Sequence, residues 1–448
     1  MIKDVKDVDY FVYDSYMKAL PFINKYDLDA KVRTPELTRT ILDEIGSPDA
    51  DQVNILVTGS KGKGSVSRIL SKVLQSLGYR VGLFSSPHLL SFSERIRVDG
   101  RAIDDESLVN VARSIYHTVK GIDGDLPRGR YIGPVGISVI MAQIFFREQE
   151  TDINVIECGR GGLYDDCNMI NHTYALITPV YFEHPHQLGP TMEDIARNKA
   201  GIITGQVTNV YTARQEKVVE EIITDTAAGC GALVKVYGRD FWAQDILTDV
   251  LGTRFSVCTH KNRYDGLRLP LLGEHQAENT ALALAAAEDV AGNLNLHNIR
   301  QGLKSANWPG RMEIVKKKPL TIIDGAINEQ GAVYLKNILK RIGNKPVVCI
   351  IGVPADKDYK GVIRTLSKVS DYCIITRALN DHLDFPGDAL SYAQTCCENS
   401  RETKNLWEGM EEAKVYMGNR EGIICIVGTQ SLVADGLRYH GMDIKNLL

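Results

Sequence analysis

Three glycines and two lysines occur together in residues 59–64, between an apolar run and an amphipathic stretch. A glycine-rich turn between a strand and a helix presents backbone N–H groups and a helix N-terminus, and both bind phosphate. The Lys63 ammonium could reach the outer phosphates of a nucleotide, and the Ser65 hydroxyl could contact the nucleotide or its Mg²⁺. The alternative is a solvated loop whose lysines face water. Because a strand and a helix flank the turn directly, we interpret it as a phosphate-binding loop.

This turn departs from the strict phosphate-loop pattern G-x-x-x-x-G-K-[ST]. Val57 occupies the position of the first glycine, and Gly64 follows Lys63 where serine or threonine is expected. The pattern present is G-x-x-G-K-G-S, which begins at Gly59. The flanking strand and helix, rather than the motif alone, therefore support the interpretation.

Short β-branched runs alternate with helical or loop segments along the chain. Continuous apolar strands between amphipathic helices are typical of a parallel sheet that is covered on both faces. In the stretch after the glycine turn, residues 65–77, the apolar residues recur on one helical face. The eight runs are 53–58, 80–85, 153–158, 174–180, 320–325, 346–352, 371–378 and 422–428. The sequence therefore predicts an α/β fold.

With 448 residues, the chain is too long for a single core. Residues 241–272 interrupt the alternation and are typical of antiparallel strands joined by polar turns. Residues 307–311, "NWPGR", predict a hinge, because Trp-Pro-Gly ends a helix and forces a turn. We expect an ATP-binding, parallel-sheet domain over 1–306 and a smaller Rossmann-like α/β domain over 312–448.

Charge and composition limit the classes of partner. The 52 basic and 56 acidic residues give a net charge of -4, which leaves no basic excess to attract a nucleic-acid backbone. No apolar run has the roughly 20 residues that span a bilayer, and the N-terminus is too polar for a signal peptide. Nine cysteines without a C-x-x-C pair indicate a reduced protein without a zinc site. We expect a cytoplasmic monomer with small-molecule partners and neither nucleic-acid nor membrane binding.

Six blocks, in order from about residue 55 to residue 330, closely resemble the folylpolyglutamate synthase and dihydrofolate synthase branch of the Mur ligase superfamily. The first is the glycine turn. The others are "GLFSSPHLLSFSERIRVDGRAI" (82–103), "VIECGRGGLYDDCN" (155–168), "EHPHQLGPTMEDIARNKAGI" (183–202), "LLGEHQAENTALAL" (271–284) and "WPGRMEIV" with "TIIDGAIN" (308–328). The resemblance implies ATP-driven amide ligation, in which a substrate carboxylate becomes an acyl phosphate and an amino acid then displaces phosphate.

Residue roles follow from the same resemblance. It implies that Lys63, Lys199 and His184 are catalytic, and that Lys199 is carbamylated so that it can serve as an anionic ligand. Taken singly, each matched residue also has a purely structural interpretation, and it is their joint order that favours a site. The implied ATP contacts are Gly59, Gly62, Lys63, Gly64, Ser65, Gln276, Asn279, Arg311 and Asp324. The implied ligands of two Mg²⁺ ions are Ser86, Glu157, His184 and Lys199.

Four positions depart from the pattern of this branch. Glu183 replaces aspartate before His184, and Leu163 replaces the arginine of G-G-R. Ile327 replaces the histidine of D-G-A-H-N, and Gly136 stands where T-[FY]-F-E has glutamate. The nucleotide and metal positions are retained, so we expect an active ligase. We expect the four departing positions to affect the acceptor site and the domain interface.

Three functions stay open from the sequence. The default is a ligase that joins glutamate to folate or dihydropteroate. The second is a Mur-type ligase for another carboxylate in cofactor, cell-wall or natural-product synthesis, and the departures at Gly136 and Leu163 favour it because they would weaken a pterin site. The third is a nucleotide-binding paralogue without catalysis, against which the retained metal positions count.

Overall fold

Buried apolar runs form the centres of two sheets, and each sheet has an apolar core on both of its faces. The computed structural model describes residues 2–24, 26–249, 252–307, 309–342, 345–379, 383–442 and 444–445. The strands of these residues are β1 (Asn54–Thr58), β2 (Val81–Phe84), β3 (Ile96–Val98), β4 (Arg101–Ala102), β5 (Ile153–Glu157), β6 (Tyr174–Ile177), β7 (Asn209–Thr212), β8 (Leu233–Val236), β9 (Trp242–Asp249), β10 (Gly252–Cys258), β11 (Arg263–Leu269), β12 (Glu313–Lys317), β13 (Leu320–Asp324), β14 (Val347–Gly352), β15 (Tyr372–Ile375), β16 (Ser400–Glu402) and β17 (Ile423–Gly428).

Helices connect most of these strands. None of the helices in the described part of the chain combines the length and apolar character needed to cross a membrane. The helices are α1 (Val5–Ala19), α2 (Asp29–Val32), α3 (Glu36–Glu44), α4 (Lys63–Ser76), α5 (Asp105–Gly124), α6 (Pro134–Glu148), α7 (Pro185–Leu188), α8 (Met192–Ala200), α9 (Lys217–Cys230), α10 (Glu274–Ala291), α11 (Leu296–Lys304), α12 (Glu329–Ile342), α13 (Tyr359–Ser367), α14 (Ala389–Cys396), α15 (Leu406–Met417) and α16 (Gln430–Tyr439).

The first sheet has eight strands in the order β4-β3-β2-β5-β1-β6-β7-β8. Neighbouring strands pair in parallel except at one edge, where β3 is antiparallel to both β2 and β4. Val57 of β1 pairs with Glu157 of β5 on one side and with Leu176 of β6 on the other. The segments that follow β1, β5 and β6 therefore leave the sheet at the same edge, where α/β sheets bind ligands.

Helix α4 follows the glycine turn and lies at the centre of the first domain. Its five apolar residues Val66, Ile69, Leu70, Val73 and Leu74 are fully buried, as their periodicity predicts. Every residue from Ser65 to Leu74 is buried, however, and α10 and α11 both pack against the helix. Burial of this helix therefore extends beyond the apolar face that the sequence predicts.

The other large sheet lies in the C-terminal part of the chain. Its strands follow the order β12-β13-β17-β14-β15-β16, and only β12, at its edge, is antiparallel. All eight strands that the apolar runs predict are present, and the α/β fold is confirmed. Strands β9, β10 and β11 form a separate antiparallel sheet over residues 242–269.

The chain passes from the first domain to the second between α11 and β12. The domain limits at 306 and 312 stay predictions, and Trp308 of the predicted hinge lies outside the described residues.

Candidate active site

The glycine turn adopts a backbone that only glycine accommodates. Gly59 has a φ of 132°, and a Cβ there would lie 2.1 Å from Thr178 Oγ1. Gly62 has a φ of 94°, and a Cβ there would lie 2.8 Å from Asn279 Oδ1. No side chain caps the N-terminus of α4, which begins at Lys63. The N–H groups of the first helical turn are thus free to bind an anion, as the sequence predicts.

A cavity of about 240 Å³ surrounds this turn, and we name it the loop cavity. Its lining includes the implied phosphate-binding residues from Gly62 to Ser65, whereas Gly59 lies outside it. The implied ATP contacts also line it, although they come from three other segments: Gln276, Asn279, Arg311 and Asp324. The structure therefore brings these residues together, and their roles stay predictions.

Sequence reasoning missed an aromatic pair in the loop cavity. The rings of His275 and Tyr334 lie 4.8 Å apart between centroids, one on α10 and the other on α12. A flat heterocycle such as a nucleotide base can pack against such rings. The histidine is visible in the quoted block "GEHQ", but no sequence signal places the tyrosine beside it.

Asp324 and Arg311 connect the hinge to the loop cavity. The Asp324 carboxylate accepts the backbone N–H groups of Met312 and Ala326, both at 2.9 Å. Burial raises the pKa of Asp324 to about 6, although the Arg311 guanidinium opposes this. The neighbouring Glu313 carboxylate accepts the N–H of Gly310 at 2.8 Å. Arg311 has no hydrogen-bond or ion-pair partner among the described residues, so it can serve a ligand.

A second, larger cavity of about 610 Å³ adjoins the first, and we name it the wide cleft. One end holds implied catalytic and metal positions: Lys63, Ser86, Glu157 and His184. The aromatic rings of Tyr13, Tyr16 and Tyr131 also line the wide cleft. These tyrosines were not identified from the sequence, because two of them come from α1, far from every motif. The wide cleft thus combines aromatic rings with charged groups, and we name the part lined by Lys63, Ser86, Glu157 and His184 its charged end.

Glu157 ends β5 and is buried at the charged end of the wide cleft. Burial raises its pKa to about 7, and the nearby charges of Lys63 and Arg311 act in the opposite direction. His184, at the N-terminus of α7, lines the same end, and burial lowers its pKa. No three His, Cys, Asp or Glu side chains converge as a metal site within the described residues.

Mg²⁺ normally takes one or two carboxylates and completes its octahedron with phosphate and water oxygens. The donor set at the charged end fits this pattern, because a hydroxyl, a carboxylate and an imidazole line the same cleft as Lys63. The residues Ser86, Glu157 and His184 therefore fit a Mg²⁺ ion that arrives with the nucleotide.

Lys199 lies on α8 and is completely buried behind the glycine turn. Its ammonium donates to Gly59 O at 2.9 Å, to Arg160 O at 3.1 Å and to Glu183 Oε1 at 3.0 Å. Burial lowers the pKa of Lys199 to about 8, and the charge of Lys63 acts in the same direction. Burial acts to raise the pKa of Glu183, but the charges of Lys199 and Lys63 outweigh it and lower that pKa.

The departure at Gly136 has a packing explanation. A Cβ at this position would lie 2.2 Å from Thr38 Oγ1 and 3.0 Å from Asp166 Oδ1, so a glutamate has no room. The Asp166 carboxylate occupies this space, accepts from Thr38 Oγ1 at 3.1 Å and lies 3.8 Å from Arg33. Burial raises its pKa to about 6 despite Arg33. A carboxylate is thus present beside position 136, supplied by a residue that sequence reasoning missed.

Two other departures from the family pattern, Leu163 and Ile327, differ in their position relative to the two cavities. The Leu163 side chain is 43% exposed and lies outside the lining of both cavities. Ile327 lines the loop cavity, so the change at this position does face the predicted nucleotide site. The leucine that replaces the arginine at position 163 therefore contributes to neither lining.

Comparisons with known proteins identify relatives of this chain. The family model "Mur ligase middle domain" matches residues 133–287. The folylpolyglutamate synthase of Lacticaseibacillus casei is 32% identical over 362 residues, which cover 79% of this chain and 83% of that protein. The dihydrofolate synthase/folylpolyglutamate synthase of Mycobacterium tuberculosis is 33% identical over 360 residues, with coverages of 76% and 74%. A solved folylpolyglutamate synthase complex with AMPPCP and folate has a TM-score of 0.77 at 28% identity and covers 95% of this chain and 99% of that chain.

The fold, the glycine turn and these similarities lead to one assignment. The chain belongs to the folylpolyglutamate synthase and dihydrofolate synthase family of Mur ligases, and it is an ATP-dependent, ADP-forming amide ligase.

Proposed function

We propose that this ligase joins glutamate to an acceptor of the folate class, folate or dihydropteroate. The wide cleft is the observation that carries this proposal. A pterin with its p-aminobenzoyl arm is flat, aromatic and ends in a carboxylate. Its rings would lie against Tyr13, Tyr16 and Tyr131, and its carboxylate would point toward Lys63 at the charged end. The solved relative that binds both AMPPCP and folate supports the same choice.

The two departures that favoured another carboxylate carry less weight once they are placed in the fold. Asp166 and Thr38 occupy the space that a glutamate at position 136 would need, so packing explains the glycine there. Leu163 lies outside the lining of the wide cleft, so its apolar side chain does not border the space proposed for the pterin. A non-folate acceptor therefore becomes an outcome of the experiment below.

The reaction proceeds in two steps. An oxygen of the acceptor carboxylate attacks the γ-phosphorus, the bond from this phosphorus to the bridging oxygen of ADP breaks, and an acyl phosphate forms. The amine nitrogen of glutamate then attacks the acyl carbon, inorganic phosphate leaves with the bonding electrons, and the nitrogen loses a proton to water. The protein contributes mainly by placing the reactants and neutralising charge.

Each step has residues suited to it. Lys63 and the N–H groups at the start of α4 hold the phosphates. Arg311 lines both the loop cavity and the wide cleft and has no partner among the described residues, so its guanidinium can neutralise charge on the transferred phosphoryl group. Bound Mg²⁺ would supply further charge neutralisation between the phosphates and the acceptor carboxylate. Ser86, Glu157 and His184 are the residues that we propose hold it.

We further propose that Lys199 is carbamylated in the active enzyme. Carbamylation requires a neutral amine, and a pKa of about 8 makes the neutral form available near neutral pH. The Glu183 carboxylate now bonded to Lys199 would have to move away from the resulting anion.

A monomer in the cytoplasm is also part of this proposal, in line with a chain whose nine cysteines are all free.

The experiment measures ADP formation from ATP and glutamate with folate, dihydropteroate and unrelated carboxylates as acceptors, and identifies the products by mass spectrometry. Two tyrosines of α1 form a matched pair: Tyr16 lines the wide cleft, whereas Tyr10 is 79% exposed. Tyr16→Ala should raise the KM for the pterin acceptor about 10-fold and leave the KM for ATP unchanged, since one aromatic contact is worth roughly 0.5–1.5 kcal/mol beyond the area it buries. Tyr10→Ala should change neither. Turnover with an unrelated carboxylate and none with a pterin would overturn the acceptor assignment.

A further inference from the structure

Three cavities meet at Glu157 and Arg311. Both residues line the loop cavity and the wide cleft. They also line a third cavity of about 50 Å³, which lies between residues 85–89 and the C-terminal domain and which we name the small cavity. A ligation of the proposed kind has three reactants, and its third site must open onto the point where the other two meet. The small cavity has this position.

His88 lines the small cavity and is held in one orientation. Arg95 Nε donates to His88 Nδ1 at 2.9 Å. Because an arginine Nε can only donate, Nδ1 must be an acceptor, and the neutral ring carries its proton on Nε2. Nε2 has no partner among the described residues. The imidazole therefore has a free N–H donor on the side opposite Arg95.

The surroundings of His88 are rigid. Arg95 is buried and also donates to the hydroxyl of Tyr13 at 2.9 Å, so its guanidinium is fixed between the wide cleft and His88. The carboxylate of Glu94 accepts the backbone N–H groups of Leu89 and Leu90 at 3.0 and 2.8 Å. The segment that carries His88 is thus fixed by hydrogen bonds at its C-terminal side.

Charge in the small cavity suits an anionic group. Arg311 lines it together with His88, and the Arg97 guanidinium, which also lines it, donates to three backbone carbonyl groups. Of the two carboxylates in its lining, that of Glu94 already accepts backbone N–H groups, and that of Glu157 faces the shared junction. A volume of about 50 Å³ is enough for one small group such as a carboxylate, since a water molecule takes about 30 Å³ in the liquid.

We propose that His88 is a positioning residue for the incoming amino acid. Its Nε2–H donates to a carboxylate oxygen of that amino acid in the small cavity, while the amine lies at the junction near Glu157 and Arg311, where the acyl carbon is formed. The ligand class is an amino acid with a free carboxylate. Neither the nucleotide nor the acceptor needs this carboxylate site. This inference rests on the proposed function of the site.

Two substitutions of His88 separate the donor from the contact with Arg95. In His88→Asn the amide oxygen can replace Nδ1 and accept from Arg95, but the Nε2 donor is lost. In His88→Gln the amide nitrogen can replace Nε2 as a donor, but the Arg95 contact is lost. We expect His88→Asn to raise the KM for glutamate about 10-fold or more, as for a lost hydrogen bond to a charged group, and His88→Gln to raise it by less. The reverse order would show that His88 only holds Arg95 and would overturn the proposal.

Hydroxylamine provides a second measurement, because it attacks an acyl phosphate without needing a carboxylate site. With ATP and the pterin acceptor, His88→Asn should lose much less hydroxamate formation than glutamate ligation. Equal losses in both reactions would overturn the role in amino-acid positioning. Absence of hydroxamate with a pterin acceptor in the unaltered enzyme would instead contradict the proposed function. Thermal unfolding checks whether His88→Asn folds. If it does not, the KM values of glutamate and of its carboxylate esters are compared on the unaltered enzyme. Equal KM values would overturn the proposal.

Discussion

The Lys199 ammonium lies 3.0 Å from the Glu183 carboxylate, and this pair of a fully buried lysine and a partly buried glutamate stands directly behind the phosphate-binding turn. The same ammonium donates to Gly59 O, so one side chain joins α8, the segment after β6 and the turn. Glu183 is one methylene longer than the aspartate of the resembling sequences. In this structure the lysine is therefore paired as a cation, and carbamylation would exchange the pair for an anion.

Lys199→Ala should lower ligation at least about 100-fold, because it removes both the contact with the turn and the proposed carbamate. Acetate at high concentration should restore part of the activity, since its carboxylate can take the place of a carbamate. The measurement is ADP formation with acetate or with chloride at equal ionic strength. Full activity of the variant without additive would contradict the role of Lys199 in the site.

Lys63→Ala should abolish measurable ligation with little effect on folding. The only hydrogen bond that Lys63 makes among the described residues is to Gly59 O at 2.8 Å, and its side chain faces the two large cavities. Steady-state turnover and the midpoint of thermal unfolding test this, with Lys217→Ala as the control because that side chain is 91% exposed on α9. Near-normal turnover of a folded Lys63→Ala variant would refute the phosphate-binding assignment.

Gly62→Ala and Gly78→Ala separate backbone strain from steric contact. The two glycines have nearly equal φ values of 94° and 97°, but only a Cβ at Gly62 meets another group, Asn279 Oδ1 at 2.8 Å. Both variants should lose about 1 kcal/mol of stability from the left-handed backbone. Only Gly62→Ala should also raise the KM for ATP, by about 10-fold or more, because Asn279 must shift. Equal ATP affinity in the two variants would count against the loop cavity as the nucleotide site.

Asp324→Asn should change the pH dependence of stability. Burial raises the pKa of Asp324 from its ordinary value of 3.8 to about 6. Its favourable contribution to folding is therefore complete below pH 3.8 and is lost as the pH rises through 6. The free energy of unfolding of Asp324→Asn, minus that of the unaltered protein, should become more positive between pH 4 and pH 7, by on the order of 3 kcal/mol.

Denaturant unfolding at four pH values across this range measures the difference, with the exposed substitution Asp225→Asn as the control. A difference between the two proteins that stays constant with pH would show that the Asp324 carboxyl is not held in its protonated form by burial.

Much of the fold could be predicted because its signals are local. A run of β-branched residues and a helical period each lie within a window of about ten residues, and both report which elements form. The glycine turn is similar: the φ values of Gly59 and Gly62 belong to the turn itself, so the glycines are visible in the sequence before any partner is known. The ordered motifs then indicated the family and the ligation chemistry.

Tertiary structure decided what depends on residues distant in sequence. Thr38, Gly136 and Asp166 lie on three separate elements, and only their packing shows that the space for a glutamate is already occupied by another carboxylate. Tyr16 enters the wide cleft because α1 packs against α6, and no local pattern encodes this contact. The sequence by itself therefore determined the elements and the chemistry of the phosphate end, since these depend on backbone conformation and motif. The acceptor end was decided by packing between elements, because the shape and charge of a cleft arise only when distant side chains meet.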